Sequence, residues 1–168
     1  YEVSLQMSNY VFIMAPAIIL AAIVTAFWGK IYDKKGFNFS SVFSMTWLIA
    51  GYIILFFFRS SALVFIGSLL MMTGYLAGMA VFGAMLRDYT PENKAGMFQG
   101  LRIVGQVLIP GIIGPAIGAA VLQNAQTIVN SDGTTSFIPN ENIFLAAFIA
   151  AIFAWLVLIP LCKLTKKK

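Results

Sequence analysis

The stretch Ile-Phe-Leu-Ala-Ala-Phe-Ile-Ala-Ala-Ile-Phe-Ala-Trp-Leu-Val-Leu-Ile-Pro-Leu-Cys, at residues 143–162, decides the fold class. It carries no charge, and its length matches the roughly 20 apolar residues that a helix needs to cross a bilayer core. Similar apolar runs occur at residues 9–28, 41–58, 61–85 and 97–122. Because backbone polar groups in lipid must be satisfied within the segment, these runs predict helices rather than barrel strands. We therefore expect an all-α, polytopic membrane bundle of five transmembrane helices.

The composition agrees with this class and excludes several others. Hydrophobic residues make up 60% of the chain and charged residues only 10%, whereas soluble domains average about 25% charged residues. The chain has no histidine and one cysteine, Cys162. Zinc chemistry, Ser-His or Cys-His catalysis and an intrachain disulfide are therefore not expected. We expect no enzyme activity, no metal or other cofactor, and no nucleic-acid partner, since the basic residues follow the ends of apolar runs.

The distribution of basic residues predicts the orientation in the membrane. One side receives ten of them: Lys30, Lys34, Lys35, Arg87, Lys94, Arg102, Lys163 and Lys166 to Lys168. The other side receives Arg59 alone. Because cytoplasmic loops are enriched in Lys and Arg, we expect a multi-pass protein of the cell membrane with a cytoplasmic C-terminus. The N-terminus and the polar loop at residues 123–142 are then outside.

The loop between the first two runs carries a motif. It reads Gly29-Lys30-Ile31-Tyr32-Asp33-Lys34-Lys35-Gly36-Phe37. Gly29 and Gly36 are expected to turn the chain sharply, because glycine tolerates positive φ. Lys34 and Lys35 suit an anionic inner leaflet, and Asp33 can accept hydrogen bonds from a helix N-terminus or pair with a basic residue. The pattern resembles the loop signature of the major facilitator superfamily, which implies a gating loop; the alternative is a turn that only sets topology.

A second motif follows the third run. It reads Leu86-Arg87-Asp88-Tyr89-Thr90-Pro91-Glu92 and leads into Gly96-Met97-Phe98-Gln99-Gly100. It resembles the tenth-to-eleventh connection of the same superfamily, most closely in the glycoside–pentoside–hexuronide cation symporters. The resemblance implies that the five runs are helices eight to twelve of a twelve-helix transporter and that Arg87 and Asp88 belong to the gating loops. The chain would then be a C-terminal fragment without the N-terminal half, which its start without an initiator Met also suggests.

Polar residues within the runs are candidates for substrate binding, because polar groups are costly in lipid. Two helical faces carry them: Ser68, Met72, Tyr75 and Met79 on the third run, and Gln99, Arg102 and Gln106 on the fourth. Hydroxyls beside an aromatic ring suit a sugar. The alternatives are a helix–helix seam for the first set and, for Arg102, a side chain that extends to the cytoplasmic interface.

The positions of glycine, proline and polar residues also predict how the helices pack. Gly74 and Gly78, and likewise Gly114 and Gly118, have the spacing that lets membrane helices approach closely. Pro110 and Pro115 are expected to interrupt the fourth helix. The second and fifth runs carry few polar groups and are expected to face lipid.

The function expected from these features is secondary active transport by alternating access. The resemblance implies a sugar or glycoside carried with a coupled cation, a proton or sodium. No Asp or Glu lies within any of the five runs, so the cation would be bound mainly by the missing N-terminal half. The alternatives are a drug or metabolite exporter on the same fold, and a non-transporting membrane anchor or assembly subunit.

Overall fold

The computed structural model of the chain describes residues 10–165. The first residue of the first predicted run, the predicted external N-terminus and Lys166 to Lys168 lie outside that range. The described chain is mostly helical, with α1 (Tyr10–Phe57), α2 (Ser61–Tyr89), α3 (Ala95–Ile103), α4 (Ile109–Val121) and α5 (Asn142–Thr165). A 3-10 turn at Glu92–Lys94 precedes α3, and a π-helical segment at Val104–Leu108 joins α3 to α4.

Four helical stretches of the described chain are long and apolar enough to cross a membrane. They are α1, α2, the continuous stretch Glu92–Val121 and α5. The expected number of five separate helices is therefore not confirmed. The difference lies in α1, which has 48 residues and would measure about 72 Å if it were straight. That length is more than twice the roughly 30 Å of a bilayer core.

Helix α1 is not straight, because it breaks at Gly36. This residue has φ 74° and ψ 179°, a conformation that is essentially restricted to glycine. The Trp28 ring stacks on Phe43 at 5.3 Å and contacts the Trp47 ring at 5.6 Å, whereas Trp28 and Trp47 would lie about 28 Å apart in an unbroken helix. The chain thus folds back at Gly36 between a first arm, residues 10–35, and a second arm, residues 37–57.

The turn expected at Gly29 is wrong. Gly29 lies inside the helical first arm, and the positive-φ glycines of the described chain are Gly36 and Gly133. Lys30, Lys34 and Lys35 are good helix formers, so the helix can continue through Gly29 to the break. One glycine therefore makes the turn that the sequence assigned to two.

The second arm packs closely against α2 through glycines. A Cβ atom on Gly74 would overlap the backbone nitrogen of Leu48, and one on Gly51 would lie 2.5 Å from that of Met71. The close approach predicted at Gly74 is confirmed, while Gly78 is looser, with the Ser44 Oγ 3.8 Å from its ideal Cβ position. We call this interface the glycine seam.

One packing expectation is not confirmed and another is wrong. No atom lies within 4 Å of a Cβ built on Gly114 or Gly118, although both line a cavity against Ala146, Ala147 and Ala150 of α5. The second run, residues 41–58, is expected to face lipid, but it buries Ser41 and Ser44 completely, and the adjacent Ser40 is also fully buried. Composition was misleading here because small hydroxyl residues pack against other helices as readily as glycine does.

Hydrogen bonds and an ion pair hold the two ends of the bundle. At one end, the Thr165 hydroxyl donates to Asn38 Oδ1 at 2.7 Å, and Tyr32 donates to Asp88 Oδ2 at 2.8 Å. These contacts bring the Gly36 turn and the C-terminal ends of α2 and α5 together, and we call this the basic end. At the other end, Arg59 pairs with Glu141 at 3.5 Å. The grouping matches the two sides predicted from charge, and the direction of the basic end stays a prediction.

The polar loop before α5 contains a short hairpin that an all-α expectation did not include. Strands β1 (Thr127–Val129) and β2 (Thr135–Phe137) pair antiparallel. Gly133 has φ 81° in the turn. Asp132 Oδ1 accepts from the Thr134 hydroxyl at 2.6 Å and from the Thr134 backbone N–H at 2.9 Å. The carboxylate therefore closes the turn.

The glycine seam predicts that Gly74→Ala destabilises the bundle. The new methyl group would overlap backbone atoms of the second arm, which side-chain rotation cannot relieve, so we expect a loss of about 1–3 kcal/mol. Thermal unfolding of the chain in detergent, followed by circular dichroism, measures the loss. The matched control is Gly100→Ala, where the Cβ meets no atom within 4 Å and should stabilise the helix by roughly 0.5–1 kcal/mol. Equal unfolding temperatures for the two variants would contradict the seam.

The hairpin turn predicts a local dependence on pH. Hydrogen bonds from the Thr134 side chain and backbone lower the pKa of Asp132 below its ordinary value of 3.8. Because the folded pKa is the lower one, the turn is fully stabilised above pH 3.8 and loses that stabilisation as pH falls through the folded pKa. The Asp132 carboxyl carbon, followed by NMR, should titrate below its ordinary range. Thr134→Val should raise that pKa, and an unchanged value would remove the hydroxyl as its cause.

Candidate functional site

A cavity of about 680 Å³ lies between α2 and α3 toward the basic end. Helix α2 contributes Met79, Gly83 and Arg87, and α3 contributes Gln99 and Arg102. Glu92, in the connection between the helices, completes the polar part of the wall. Charged and amide groups thus meet apolar ones in a space large enough for a small solute.

Arg102 enters this cavity from α3. Its Nε donates to Gln106 Oε1 at 2.8 Å, and its Nη2 lies 3.2 Å from the place where a Cβ on Gly83 would be. Ala80 and Ala84 line the same wall, so small residues on α2 leave room for the guanidinium. The side chain therefore faces a cavity between helices, and how deep this position lies in a membrane stays a prediction.

Gln106 lies in the π-helical segment between α3 and α4. Pro110 follows four residues later, and a proline ring crowds the carbonyl of the residue four positions earlier. A π turn widens the helix locally and is common at functional sites. The interruption predicted at Pro110 takes this form, whereas α4 continues through Pro115, where an interruption was also predicted. The π turn positions Gln106 to hold the Arg102 side chain.

The charge of Arg102 has no carboxylate partner among residues 10–165. The ion pairs of that range join Arg59 to Glu141, and Arg87 to Asp88 at 3.6 Å. The cavity wall therefore contains two guanidinium groups and one carboxylate, that of Glu92. Gln106 is neutral and accepts one hydrogen bond from Arg102. The remaining N–H groups of the guanidinium are therefore available to a ligand.

The predicted residues of α2 lie at different depths along that helix. Met79 lines the cavity, and Tyr75, 52% exposed, is one turn farther from the basic end. Met72 is half-buried. Ser68 is fully buried, and its Oγ has no hydrogen-bond partner in the described chain. At 1.5 Å per residue, Ser68 is about 16 Å along the axis from Met79. The structure thus brings Arg102, Gln106 and the Met79 end of the stripe together, and Ser68 lies apart.

The two motif loops meet at the basic end through a residue that sequence reasoning missed. The Tyr32 hydroxyl donates to Asp88 Oδ2, which joins the first motif to the second. Asp33 and Lys34 are exposed, and Asp33 makes no hydrogen bond or ion pair with any described residue. Lys35 lies over the Phe39 ring at 4.2 Å. The interhelical contact expected of Asp33 is therefore made by the neighbouring phenol.

Two wall residues also escaped sequence reasoning. Gly83 was not singled out, although Ala80, Gly83 and Ala84 follow the i, i+3, i+4 pattern of a small-residue helix face. Glu92 belongs to the second motif, which carries no sign of a cavity wall. Its position beside the cavity depends on the 3-10 turn that carries it, and the residue pattern does not predict that turn.

Comparison of the chain with protein-family models, with curated proteins and with solved structures gives no significant match. The family resemblance carried by the two motifs therefore stays a prediction.

Proposed function

We propose that the chain forms the last five helices of a secondary active transporter of the major facilitator type. In this proposal each arm of α1 crosses the membrane separately, which makes five spans, and the basic end faces the cytoplasm. The transported solute is a sugar or glycoside, and a proton or sodium ion moves with it.

The observation that carries the proposal is the Arg102–Gln106 pair beside a cavity. An arginine and an amide in a membrane-length helix are costly unless they face other protein, water or a ligand. Their donors can bind the hydroxyl groups of a sugar. Met79 and Tyr75 supply an apolar and aromatic surface on the facing helix, which suits the CH face of a sugar ring.

The binding of the coupling cation and the gate are assigned from the positions of charged and polar residues. The predicted spans contain no carboxylate, so helices outside this chain would bind the coupling cation. The Tyr32–Asp88 hydrogen bond joins the two gating loops, which contain Gly29 to Gly36 and Arg87 to Asp88. Its breakage and reformation would accompany the opening and closing of the cytoplasmic side.

The proposed orientation predicts which loops are accessible from outside intact cells. In a Cys162→Ser background, Ser131→Cys should react with an impermeant maleimide, whereas Asp33→Cys should react only after the membrane is permeabilised. Both native side chains are exposed, so burial does not explain a difference. The reverse pattern would place the basic end outside and would contradict the proposed transporter.

The proposed site predicts a selective loss of sugar uptake. The full reading frame that encodes the chain is expressed in cells that lack sugar uptake. Gln106→Leu and Arg102→Gln should each raise the half-saturating sugar concentration roughly tenfold or more, since a hydrogen bond to a charged group contributes about 1.5–3 kcal/mol. Tyr75→Ala should weaken uptake through the lost ring contact.

Lys163→Gln is the matched control, because Lys163 is an exposed basic residue at the same end of the bundle. Its uptake should equal that of the unmodified protein. Sugar efflux in place of accumulation would identify an exporter. Absence of any flux across a panel of sugars, with correct membrane insertion, would favour the anchor or assembly subunit.

A further inference from the structure

The depth of the cavity along α2 places it near one membrane surface. Helix α2 has 29 residues and is about 44 Å long, so it exceeds a 30 Å hydrocarbon core by roughly 14 Å. Gly83 lies six residues before the last residue of α2, Tyr89, a distance of about 9 Å. If the helix is centred, the Arg102 guanidinium beside Gly83 lies about 2 Å inside the boundary between hydrocarbon and headgroups. Lipid phosphate groups are within reach at this depth.

The cavity is open on the side of α3 within the described chain. Helix α3 has no buried residue, and neither do the π-helical segment and α4. Within residues 10–165, no other helix buries a residue of this wall. A headgroup can therefore enter between α2 and α3 from the side.

The donors in the wall suit a phosphate group. Because Nε of Arg102 is held by Gln106, the terminal nitrogens are oriented and remain free to donate. Arg87 lines the same cavity, and its pairing with Asp88 is long, at 3.6 Å. Guanidinium groups bind phosphate oxygens through paired hydrogen bonds, and basic pockets between membrane helices bind anionic headgroups.

We propose that this cavity binds the phosphate of an anionic phospholipid headgroup through Arg102 and Arg87. The phosphate site shares Arg102 with the proposed solute site, and it lies nearer the end of α2 than Tyr75 and Ser68. The inference goes beyond the proposed transport and is tested separately from it, because its readout is lipid retention by the purified chain and not sugar uptake. Binding of the phosphate supplies the counter-charge that Arg102 lacks within the described chain.

The test measures lipid binding by the purified full chain in nanodiscs made of phosphatidylcholine, with or without phosphatidylglycerol. Phosphatidylglycerol should raise the unfolding temperature, and native mass spectrometry should show it retained in preference to phosphatidylcholine. Arg102→Gln should weaken that preference roughly tenfold, and Arg102→Lys should restore only part of it, because an ammonium lacks the planar fork. Lys163→Gln, the matched basic control at the same end, should retain the preference.

A second arm of the experiment identifies the source of the phosphate. Glycerol-1-phosphate and inorganic phosphate are added to chain in pure phosphatidylcholine nanodiscs. Protection by these soluble probes that is lost in Arg102→Gln would support the phosphate site and assign it to a soluble anion. Protection by phosphatidylglycerol alone would assign it to the lipid.

Two outcomes would overturn the proposal. One is an equal preference for phosphatidylglycerol in the unmodified chain and in Arg102→Gln, at unchanged helical content. The other is an equal loss in Arg102→Gln and Lys163→Gln, which would mean that the lipid responds to total charge and not to this cavity.

Discussion

Close backbone contact across the glycine seam determines how the helices of this chain are arranged. In lipid, helices gain little from hydrophobic burial and associate through packing, so a seam without side chains at Gly51 and Gly74 fixes one rotation of α2. At 100° per residue, Gly83 faces about 180° away from Gly74 on the same helix. The seam therefore turns the wall that contains Gly83 away from the second arm and toward α3. Packing on one face of α2 creates the cavity on the other.

The polar contacts at the two ends complete this arrangement without adding charges to the interior. The Tyr32–Asp88 and Thr165–Asn38 hydrogen bonds lie at the basic end, and the Arg59–Glu141 pair lies at the opposite end. Arg59 also donates to the carbonyl of Phe56 at 2.7 Å, which caps the second arm. Polar groups are thus placed where water and headgroups can solvate what the protein leaves unpaired.

Structural features that depend on a single segment are predicted from the sequence. Features that require two segments to be placed relative to each other are not. The apolar runs, the turn at Gly36 and the close approach at Gly74 follow from local composition and spacing. The turn predicted at Gly29 is wrong because a glycine can also continue a helix. The contact of Tyr32 with Asp88 was not predicted, because it depends on how two helices are rotated relative to each other. The hairpin was missed because residues 123–142 were interpreted only by polarity, although β-branched residues flank Asp132-Gly133, a common turn pair. Nothing in the sequence around Leu48 marks it as the partner of Gly74, and the small-residue pattern around Gly83 does not show which helix it faces.

Arg102 shows why position along a helix does not determine the role of a charge. Close to the start of a membrane helix, an arginine can extend to water at little cost, and sequence alone left both directions open. In the structure Gln106 holds Nε and the missing side chain of Gly83 leaves space for the terminal nitrogens. A residue that served only to mark topology would need neither feature. Because the amide is neutral, it orients the guanidinium without cancelling its charge. The remaining donors therefore favour a ligand with oxygen acceptors, and an anionic ligand most of all.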